Sequence, residues 1–290
     1  MLTHHYEYAR SLSNIGNAEQ RDGTSFPVII RRIPNTNLFD GMLPWPYILL
    51  KNSSEIEGLI AAYPNLVSIV GNISPCTKVY WENDSGNFIH PYKDHFVYDP
   101  TLPLELSAKT RRNIKIGKKE NSFSISHVDE VLTDDIVRLY AEFLARKRMD
   151  GDFFKFNSSH FDFLKNSKDS SMFICRDSKL CLSAIALGFI SDSGLHLLHI
   201  IIGDAGLNHK SGYVLMSGIV DYAKHKMIQI FFGGLPQIKE SGLHTFKKRW
   251  SNKILKSSIL KLTIQHQNFI ELSGENITNN FYPQYRVIHR

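Results

Sequence analysis

The fold is decided by residues 182–234, which read LSAIALGFI (182–190), SDSG (191–194), LHLLHIII (195–202), GDAGLNHK (203–210), SGYVLMSGIVDYAKHK (211–226) and MIQIFFGG (227–234). Two apolar runs on either side of Asp192-Ser-Gly194 predict two strands joined by a hairpin turn. The next apolar residues recur at helical spacing, which predicts a helix over 211–226. Its buried face would be formed by Met216, Val220, Ala223 and Met227.

The flanking sequence extends this pattern to a mixed, layered α/β (α+β) fold. A strand over 172–175 precedes the hairpin, the strand over 228–232 ends in two glycines, and a short helix over 243–249 and a strand over 259–264 follow. Upstream, Ser107 begins a basic helix, and Thr133 begins a second helix with an inward face at Ile136, Tyr140, Phe143 and Lys147. The N-terminal third shows a weaker pattern, with strands over 26–31, 47–50, 66–70, 78–81 and 95–99 and an irregular loop over 38–46. We therefore predict two domains, residues 1–125 and 126–290.

The composition narrows the class of protein. The chain has 290 residues, 42% of them hydrophobic, and a net charge of +6. This basic excess favours anionic partners such as phosphates, nucleotides or RNA, and a merely solvated basic surface is the alternative. Three cysteines argue against a disulfide framework and for a reducing compartment. No signal peptide and no apolar stretch of membrane-spanning length is evident, so the sequence predicts a cytoplasmic protein.

Three segments carry candidate chemistry. The first is the helix after Ser107, where six cations lie within about three turns and form either a solvated face or a phosphate-docking face. The second is the start of the helix at residues 203–213, where free backbone N–H groups suit an anion; an ordinary capped helix is the alternative. The third is the pair of glycines followed by a basic, aromatic helix, in which Lys247 could stabilise a tetrahedral intermediate. A solvated helix anchored by Phe246 and Trp250 is the alternative there.

Metal and nucleophile chemistry find little support in the sequence. The 13 histidines are scattered, and the odd spacing of His196 and His199 along a strand predicts side chains on opposite faces. Cys175 and Cys181 lack the spacing of a metal or redox pair, and no nucleophile-elbow motif is present. We therefore predict no metal site and expect the histidines to be surface or core residues.

Three segments in this order resemble one family. They are Leu104-Glu-Leu-Ser-Ala-Lys-Thr-Arg-Arg-Asn-Ile-Lys115, the helix 210–226 followed by Phe231-Phe-Gly-Gly234, and Gly242-Leu-x-x-Phe246-Lys247. The chain is similar in these motifs to the FemAB-like proteins of the GNAT superfamily and to related acyltransferases of polysaccharide gene clusters. The loop 38–47 is also similar in character to a segment of that family. The resemblance spans roughly residues 29–253.

The resemblance implies tandem GNAT-like domains, the first one degenerate, and transfer of an acyl or aminoacyl group to an amine. Lys247 would be catalytic, as an oxyanion stabiliser or as a ligand of substrate phosphate. The donor would bind at Asn208, Lys210, Ser211, Gly212 and Tyr213. The acceptor would bind at Arg111, Arg112, Asn113, Gly233, Gly234, Phe246 and Trp250. Acyl-CoA or aminoacyl-tRNA would be the co-substrate, with no permanently bound cofactor.

The acceptor implied is a sugar or peptide of the cell envelope, either a small molecule or lipid-linked, such as a peptidoglycan precursor. The tRNA is a partner if it carries the donor group. DNA is not expected as a partner. Two departures bear on the donor. Residues 208–213 do not reproduce the usual acetyl-CoA loop of GNAT enzymes, and residues 133–165 offer no long helical arm of the kind seen in some tRNA-using FemAB enzymes. Two other functions stay open: an inactive module that binds RNA or anionic glycan, and a transferase that uses a carrier-protein thioester.

Overall fold

The computed structural model describes residues 2–77, 81, 88–126, 131–149, 151–234, 241–274 and 282–286. The chain forms two compact units, each built from separate stretches of sequence. The first unit holds residues 3–93 and 256–290, and the second holds residues 1–2 and 94–255. The boundary predicted between residues 125 and 126 does not fall at the edge of either unit, because residues 94–125 belong to the second unit and the last 35 residues belong to the first.

Helices and strands alternate along the chain, as the sequence predicts. The helices are α1 (Tyr6–Ser11), α2 (Ser54–Ala62), α3 (Ala108–Glu120), α4 (Thr133–Lys147), α5 (Ser158–Asn166), α6 (Asp204–Asn208), α7 (Ser211–Lys226), α8 (Gly242–Trp250) and α9 (His266–Ser273). The strands are β1 (Asn17–Glu19), β2 (Val28–Arg32), β3 (Phe39–Met42), β4 (Ser68–Ile73), β5 (Phe88–Tyr98), β6 (Asn121–Ser126), β7 (Ser170–Asp177), β8 (Leu182–Ser191), β9 (Gly194–Ile202), β10 (Ile230–Gly234) and β11 (Lys253–Thr263).

Both units contain mixed sheets with the same internal order. In the first unit β2 and β3 are antiparallel, α2 lies between β3 and the parallel strand β4, and β11 runs antiparallel to β4. In the second unit β8 and β9 are antiparallel, α6 and α7 lie between β9 and the parallel strand β10, and β5 runs antiparallel to β10. This shared order supports tandem related domains. The first unit receives β11 from the end of the described sequence, which explains why it is built from two distant stretches.

Most of the apolar residues that the sequence predicts to be buried lie in the core of one of the two units. Apolar residues of β2, α2, β4 and β11 pack in the first unit, and those of α7, β7, β8, β9 and β10 pack in the second. Helix α7 spans the predicted residues, and its Met216, Val220 and Ala223 are buried. Ser107 caps α3, since its side chain accepts a hydrogen bond from Thr110 N. The mixed α/β fold class is therefore confirmed.

Some local predictions are wrong. Met227 is 62% exposed, because the helix ends one residue earlier and Met227 adopts a left-handed conformation that turns the chain out. Lys147 is exposed at the end of α4, where water solvates its charged group, so it does not belong to the inward face. The loop predicted over 38–46 contains β3, and residues 47–50 form an isolated bridge rather than a strand. The strand predicted over 78–81 lies mostly outside the described residues.

Buried histidines distinguish the second unit. His160 and His199 lie Nε2 to Nε2 at 2.9 Å, and burial lowers the pKa of both below the ordinary value of 6.5. His196 stacks between Phe189 and Phe231, and burial lowers its pKa to about 3. His196 and His199 lie on the same face of the sheet, because a register shift in β9 pairs His196 with Phe189 and His199 with Leu187, so the prediction of opposite faces is wrong. Each imidazole is neutral in the folded protein at neutral pH.

We expect these histidines to make the protein less stable in mild acid. The unfolded chain takes up protons below pH 6.5 whereas the buried rings do not, so this stability is present above pH 6.5 and lost as the pH falls towards 3. Below pH 6.5, each buried ring makes the free energy of unfolding fall by about 1.4 kcal/mol for each pH unit. Urea unfolding between pH 7 and 5 should show a slope smaller by about that amount in His196→Gln. The exposed His225→Gln is the control; an equal slope in both variants would contradict the assignment.

No helix in the described part of the chain is both long enough and apolar enough to cross a bilayer.

Candidate functional site

The parallel strands β9 and β10 separate soon after they meet. Ile230 pairs with Leu195 and Phe231 with His196, and within the described residues of these two strands the pairing goes no further. Strand β10 instead stays paired with β5 as far as Gly234, which lies opposite His95. The later half of β9 is thus open on the side of β10, and a gap forms at the carboxyl ends of both strands.

A cleft of about 160 Å³ lies at this end of the second unit. Ile202 at the end of β9 lines it, together with Gly206 and Leu207 of α6. The start of α7 contributes Lys210, Gly212 and Tyr213, and the last turns of α8 contribute Phe246, Arg249 and Trp250. The lining is mainly apolar, and among the described residues that form it the charged side chains are the cations Lys210 and Arg249. The cleft therefore suits a ligand that joins an anionic group to an apolar part.

Backbone conformation explains how the loop before α7 enters the cleft. Lys210 is left-handed, with φ of 60°, and its carbonyl accepts a hydrogen bond from Tyr213 N at 2.9 Å. At Gly212 a side-chain carbon would lie 2.5 Å from Ile202 Cδ1, so a larger residue there would require the Ile202 side chain to shift. The helix start forms one wall of the cleft.

Ser211 does not join this wall. It is fully buried, and its hydroxyl donates to Asn121 Oδ1 at 2.6 Å. The Asn121 amide in turn donates to the carbonyls of Gly117 and His209 at 2.9 and 2.8 Å. This network joins the end of α3 to the start of α7. Ser211 thus holds the loop in place, and Asn208 lies exposed at the end of α6 without lining the cleft.

Opposite the helix start, α8 presents its aromatic and cationic face. The Arg249 guanidinium lies over the Tyr213 ring, 5.2 Å from its centroid, so the two walls touch. Trp250 is 1% exposed and belongs to the core of the second unit, whereas Phe246 packs at the edge of that core. Phe246 and Trp250, predicted on the acceptor side, therefore share one cleft with Lys210, Gly212 and Tyr213, predicted on the donor side.

Lys247 lies beside the glycines that end β10. Its Nζ donates to the Gly234 carbonyl at 2.7 Å. Gly233 has a φ of 79°, in the region that favours glycine, and a side-chain carbon there would lie 3.5 Å from Lys247 Nζ. The positive φ, rather than lack of space, is what favours glycine at position 233. Lys247 itself does not line the cleft described above.

The predicted residues of α3 lie apart from the cleft lining. Arg111 and Arg112 are exposed, Asn113 is half-buried, and the Arg111 side chain donates to the Leu106 carbonyl of its own helix start. The far end of α3 does reach the site, since a side-chain carbon at Gly117 would lie 3.0 Å from the Lys210 carbonyl oxygen. All six cations of α3 are exposed: Lys109, Arg111, Arg112, Lys115, Lys118 and Lys119.

Sequence reasoning missed part of the cleft. Ile202, Gly206 and Leu207 carry no chemical signal of their own, and only the strand–helix junction gives them a role. Arg249 belongs to a run of three cations, and the sequence does not show which of them faces the cleft.

Burial raises the pKa of the Cys175 thiol to about 11, so this residue is protonated at neutral pH. Across the described residues, His, Cys, Asp and Glu form no group of three that could hold a metal ion.

Comparisons with known proteins agree with this architecture. No protein-family model and no curated protein sequence matches the chain. Among solved structures it is similar to FemX, with a TM-score of 0.62 and 11% identity over 94% of both chains. It is also similar to the C-terminal domain of a putative lysylphosphatidylglycerol synthetase from Agrobacterium fabrum, with a TM-score of 0.58 and 13% identity over 88% of this chain and 87% of that one. The L-PGS of Bacillus licheniformis matches with a TM-score of 0.59 and 12% identity over 88% and 86% of the two chains. The chain therefore shares its fold with these proteins, FemX among them, as the resemblance to FemAB-like proteins predicts.

Proposed function

We propose that this protein is an acyltransferase that moves an acyl or aminoacyl group from an activated donor to an amine. One observation carries the proposal. Residues from two segments that are about 35 residues apart in sequence, the start of α7 and the last turns of α8, converge on one cleft at the open end of β9 and β10. Its apolar lining and two cations suit a donor with an anionic group, such as acyl-CoA or an aminoacyl-tRNA end.

The reaction requires positioning and charge stabilisation more than a dedicated base. A neutral amine attacks the donor carbonyl carbon, a C–N bond forms, and the carbonyl oxygen becomes negative. The intermediate then collapses, the C–S or C–O bond breaks, and the amine loses a proton as the thiol or hydroxyl leaves. Holding both reactants in position and stabilising the negative oxygen account for most of the rate enhancement.

Lys247 is the residue to which we assign stabilisation of the negative oxygen. Its ammonium group donates a hydrogen bond to the Gly234 carbonyl, which places a positive charge at the end of β10 where it would attract a negative oxygen. The backbone at Gly233, with a φ of 79°, favours glycine, so no side chain lies beside the ammonium group there. This arrangement would bind an oxyanion more tightly than a neutral carbonyl, which is the requirement for lowering the barrier.

The acceptor is proposed to be an amine of a cell-envelope sugar or peptidoglycan precursor, free or lipid-linked. The name of one structural neighbour, a putative lysylphosphatidylglycerol synthetase, denotes an aminoacyl group joined to a lipid, which supports aminoacyl transfer as one form of the reaction. A cytoplasmic location, expected from the cysteine content, fits a donor made inside the cell.

The test is a thermal-shift titration with CoA and acetyl-CoA, using a matched pair of variants. A donor at 100 times its dissociation constant should add about 2.7 kcal/mol of stability to the wild-type protein. Arg249→Gln should weaken binding at least about tenfold, because a charged hydrogen bond contributes about 1.5–3 kcal/mol. Lys248→Gln removes the same charge from the same helix but is exposed and outside the cleft lining.

The matched pair separates site binding from general charge attraction. Equal weakening in Arg249→Gln and Lys248→Gln would contradict a role of the cleft. No shift in the wild type at millimolar CoA would exclude a CoA donor and move the search to aminoacyl-tRNA or a carrier-protein thioester, for which the basic surface would dock an acidic partner.

The exposed cations of α3 favour a second candidate, an inactive module that binds RNA or anionic glycan. All six face solvent, and among the described residues none of them forms an ion pair with a carboxylate. A pure phosphate binder should lose affinity steeply with salt, with a slope of log affinity of roughly −0.7 per neutralised phosphate on a single strand. An enzyme should instead show a saturable response to one small donor.

A further inference from the structure

The junction between β9 and α6 is held from outside the cleft by a pair of side chains on α4. Arg146 Nη2 donates to the Ile202 carbonyl at 2.6 Å, and the same guanidinium forms an ion pair with Asp204. Glu142 Oε2 accepts a hydrogen bond from Asp204 N at 3.1 Å. Arg146 and Glu142 therefore bind the last carbonyl of the strand and the first amide of the helix.

Strand geometry shows which edge of β9 Arg146 occupies. Gly203 N donates to the Ser183 carbonyl on β8 at 3.0 Å, so residue 203 faces β8. Backbone groups of successive residues in a strand point to opposite edges, so the Ile202 carbonyl faces the other edge, on the side of β10. Since β10 no longer pairs with β9 there, this carbonyl would lack a strand partner. Arg146 supplies the missing donor.

The pair is itself held in place. Glu142 Oε1 accepts from Arg138 Nη1 at 3.0 Å, which fixes the carboxylate on the helix surface. Arg146 also lies over the Phe143 ring, 5.9 Å from its centroid. At Gly203 a side-chain carbon would lie 3.0 Å from Glu142 Oε2, so a larger residue would crowd the carboxylate that binds Asp204 N. Both side chains are half-buried rather than extended into water.

We propose that Arg146 and Glu142 are positioning residues that fix the open edge of β9 and hence the wall of the donor cleft. Ile202, Gly206 and Leu207, which form that wall, directly adjoin the backbone groups that the pair binds. Neither side chain lines the cleft, so both act through the backbone. The inference rests on the proposed function, because the role given to Arg146 and Glu142 is to support binding of the donor.

Variants at these two positions should separate positioning from simple structural support. Arg146→Met should raise the apparent dissociation constant and KM for the donor about 10–100-fold, since small misplacements of a binding wall have effects of that size. Arg146→Lys should be intermediate, because one ammonium cannot reproduce the planar fork. Glu142→Gln keeps an acceptor for Asp204 N and should stay within about threefold, whereas Glu142→Leu should not.

The matched control is Lys147→Met, which removes a cation from the same turn of α4 at an exposed position. Donor titration and hydrogen exchange of the amides of residues 203–207 are measured on the full chain. We expect Arg146→Met to bind the donor more weakly and to exchange these amides faster. Lys147→Met should show neither change. Unchanged donor binding in Arg146→Met would overturn the inference while leaving the proposed function intact. A wild-type protein that responds to no donor, with wild-type exchange in Arg146→Met, would overturn both.

Discussion

Replacing Lys247 with alanine is expected to lower the turnover number by about 10²–10³-fold, the effect typical of removing one oxyanion donor. The same change should cost little stability. Lys247 is half-buried, and the hydrogen bond that it donates to the Gly234 carbonyl contributes about 1 kcal/mol. Steady-state kinetics under saturating donor, together with urea unfolding of the same preparations, measure the two effects separately.

Two further variants sharpen the Lys247 experiment. Lys248→Ala, on the exposed side of α8, should leave turnover within about twofold, because surface substitutions away from a site have small effects. Lys247→Met keeps the apolar stem and should lose turnover as much as alanine does. If turnover falls only in proportion to the folded fraction, Lys247 is a structural residue and the oxyanion assignment is wrong.

Replacing Asp40 with alanine is expected to lower the free energy of unfolding by about 3–5 kcal/mol, the cost of removing one partner from a buried ion pair. Asp40 is fully buried on β3. Its carboxylate accepts from Arg31 Nε at 2.9 Å and from Arg286 Nη2 at 3.0 Å, and Tyr285 donates its hydroxyl at 3.2 Å. Without the carboxylate, two guanidinium groups with little exposure face each other.

The Asp40 network also secures the end of the chain to the first unit. Arg286 bonds both Asp40 and the Arg32 carbonyl, and Tyr285 bonds Ser68 at 2.7 Å. Arg286→Met should therefore be destabilising as well, but less than Asp40→Ala, because Arg31 keeps its partner. The exposed Asp22→Ala is the control and should change the free energy of unfolding by less than about 0.5 kcal/mol. A loss below about 1 kcal/mol in Asp40→Ala would show that the pair contributes little.

Much of the local structure could be predicted because its causes are local. Helix α7 begins and ends where the apolar spacing predicts, and the Ser107 cap of α3 follows from a serine hydroxyl within reach of the N–H three residues later. The hairpin at residues 191–194 follows from its turn residues, with Gly194 at a φ of 133°. Met227 was misplaced because helical spacing continues in the sequence after the backbone has already turned.

The candidate site was predicted only in fragments. Lys210, Gly212, Tyr213, Phe246 and Trp250 were all singled out, but the sequence divided them between a donor side and an acceptor side. The structure brings them to one cleft. Ser211 looked equally suited to a ligand, and only its contact with Asn121, 90 positions earlier, shows that it holds the loop instead. Spacing cannot reveal such a partner.

By itself the sequence determined the class of fold, the bounds of its main helices, the apolar faces and the family that its motifs resemble. These properties depend on residues a few positions apart, where side-chain periodicity and capping act. The tertiary structure alone decided that β5 lies beside β10, that the open edge of β9 is held by Arg146, and that residues such as Asp99 and Lys253, 154 positions apart, form an ion pair. The reason is physical. Strand pairing, burial and charge pairing depend on distance in space, and spacing along the chain does not reveal that distance for residues far apart in sequence.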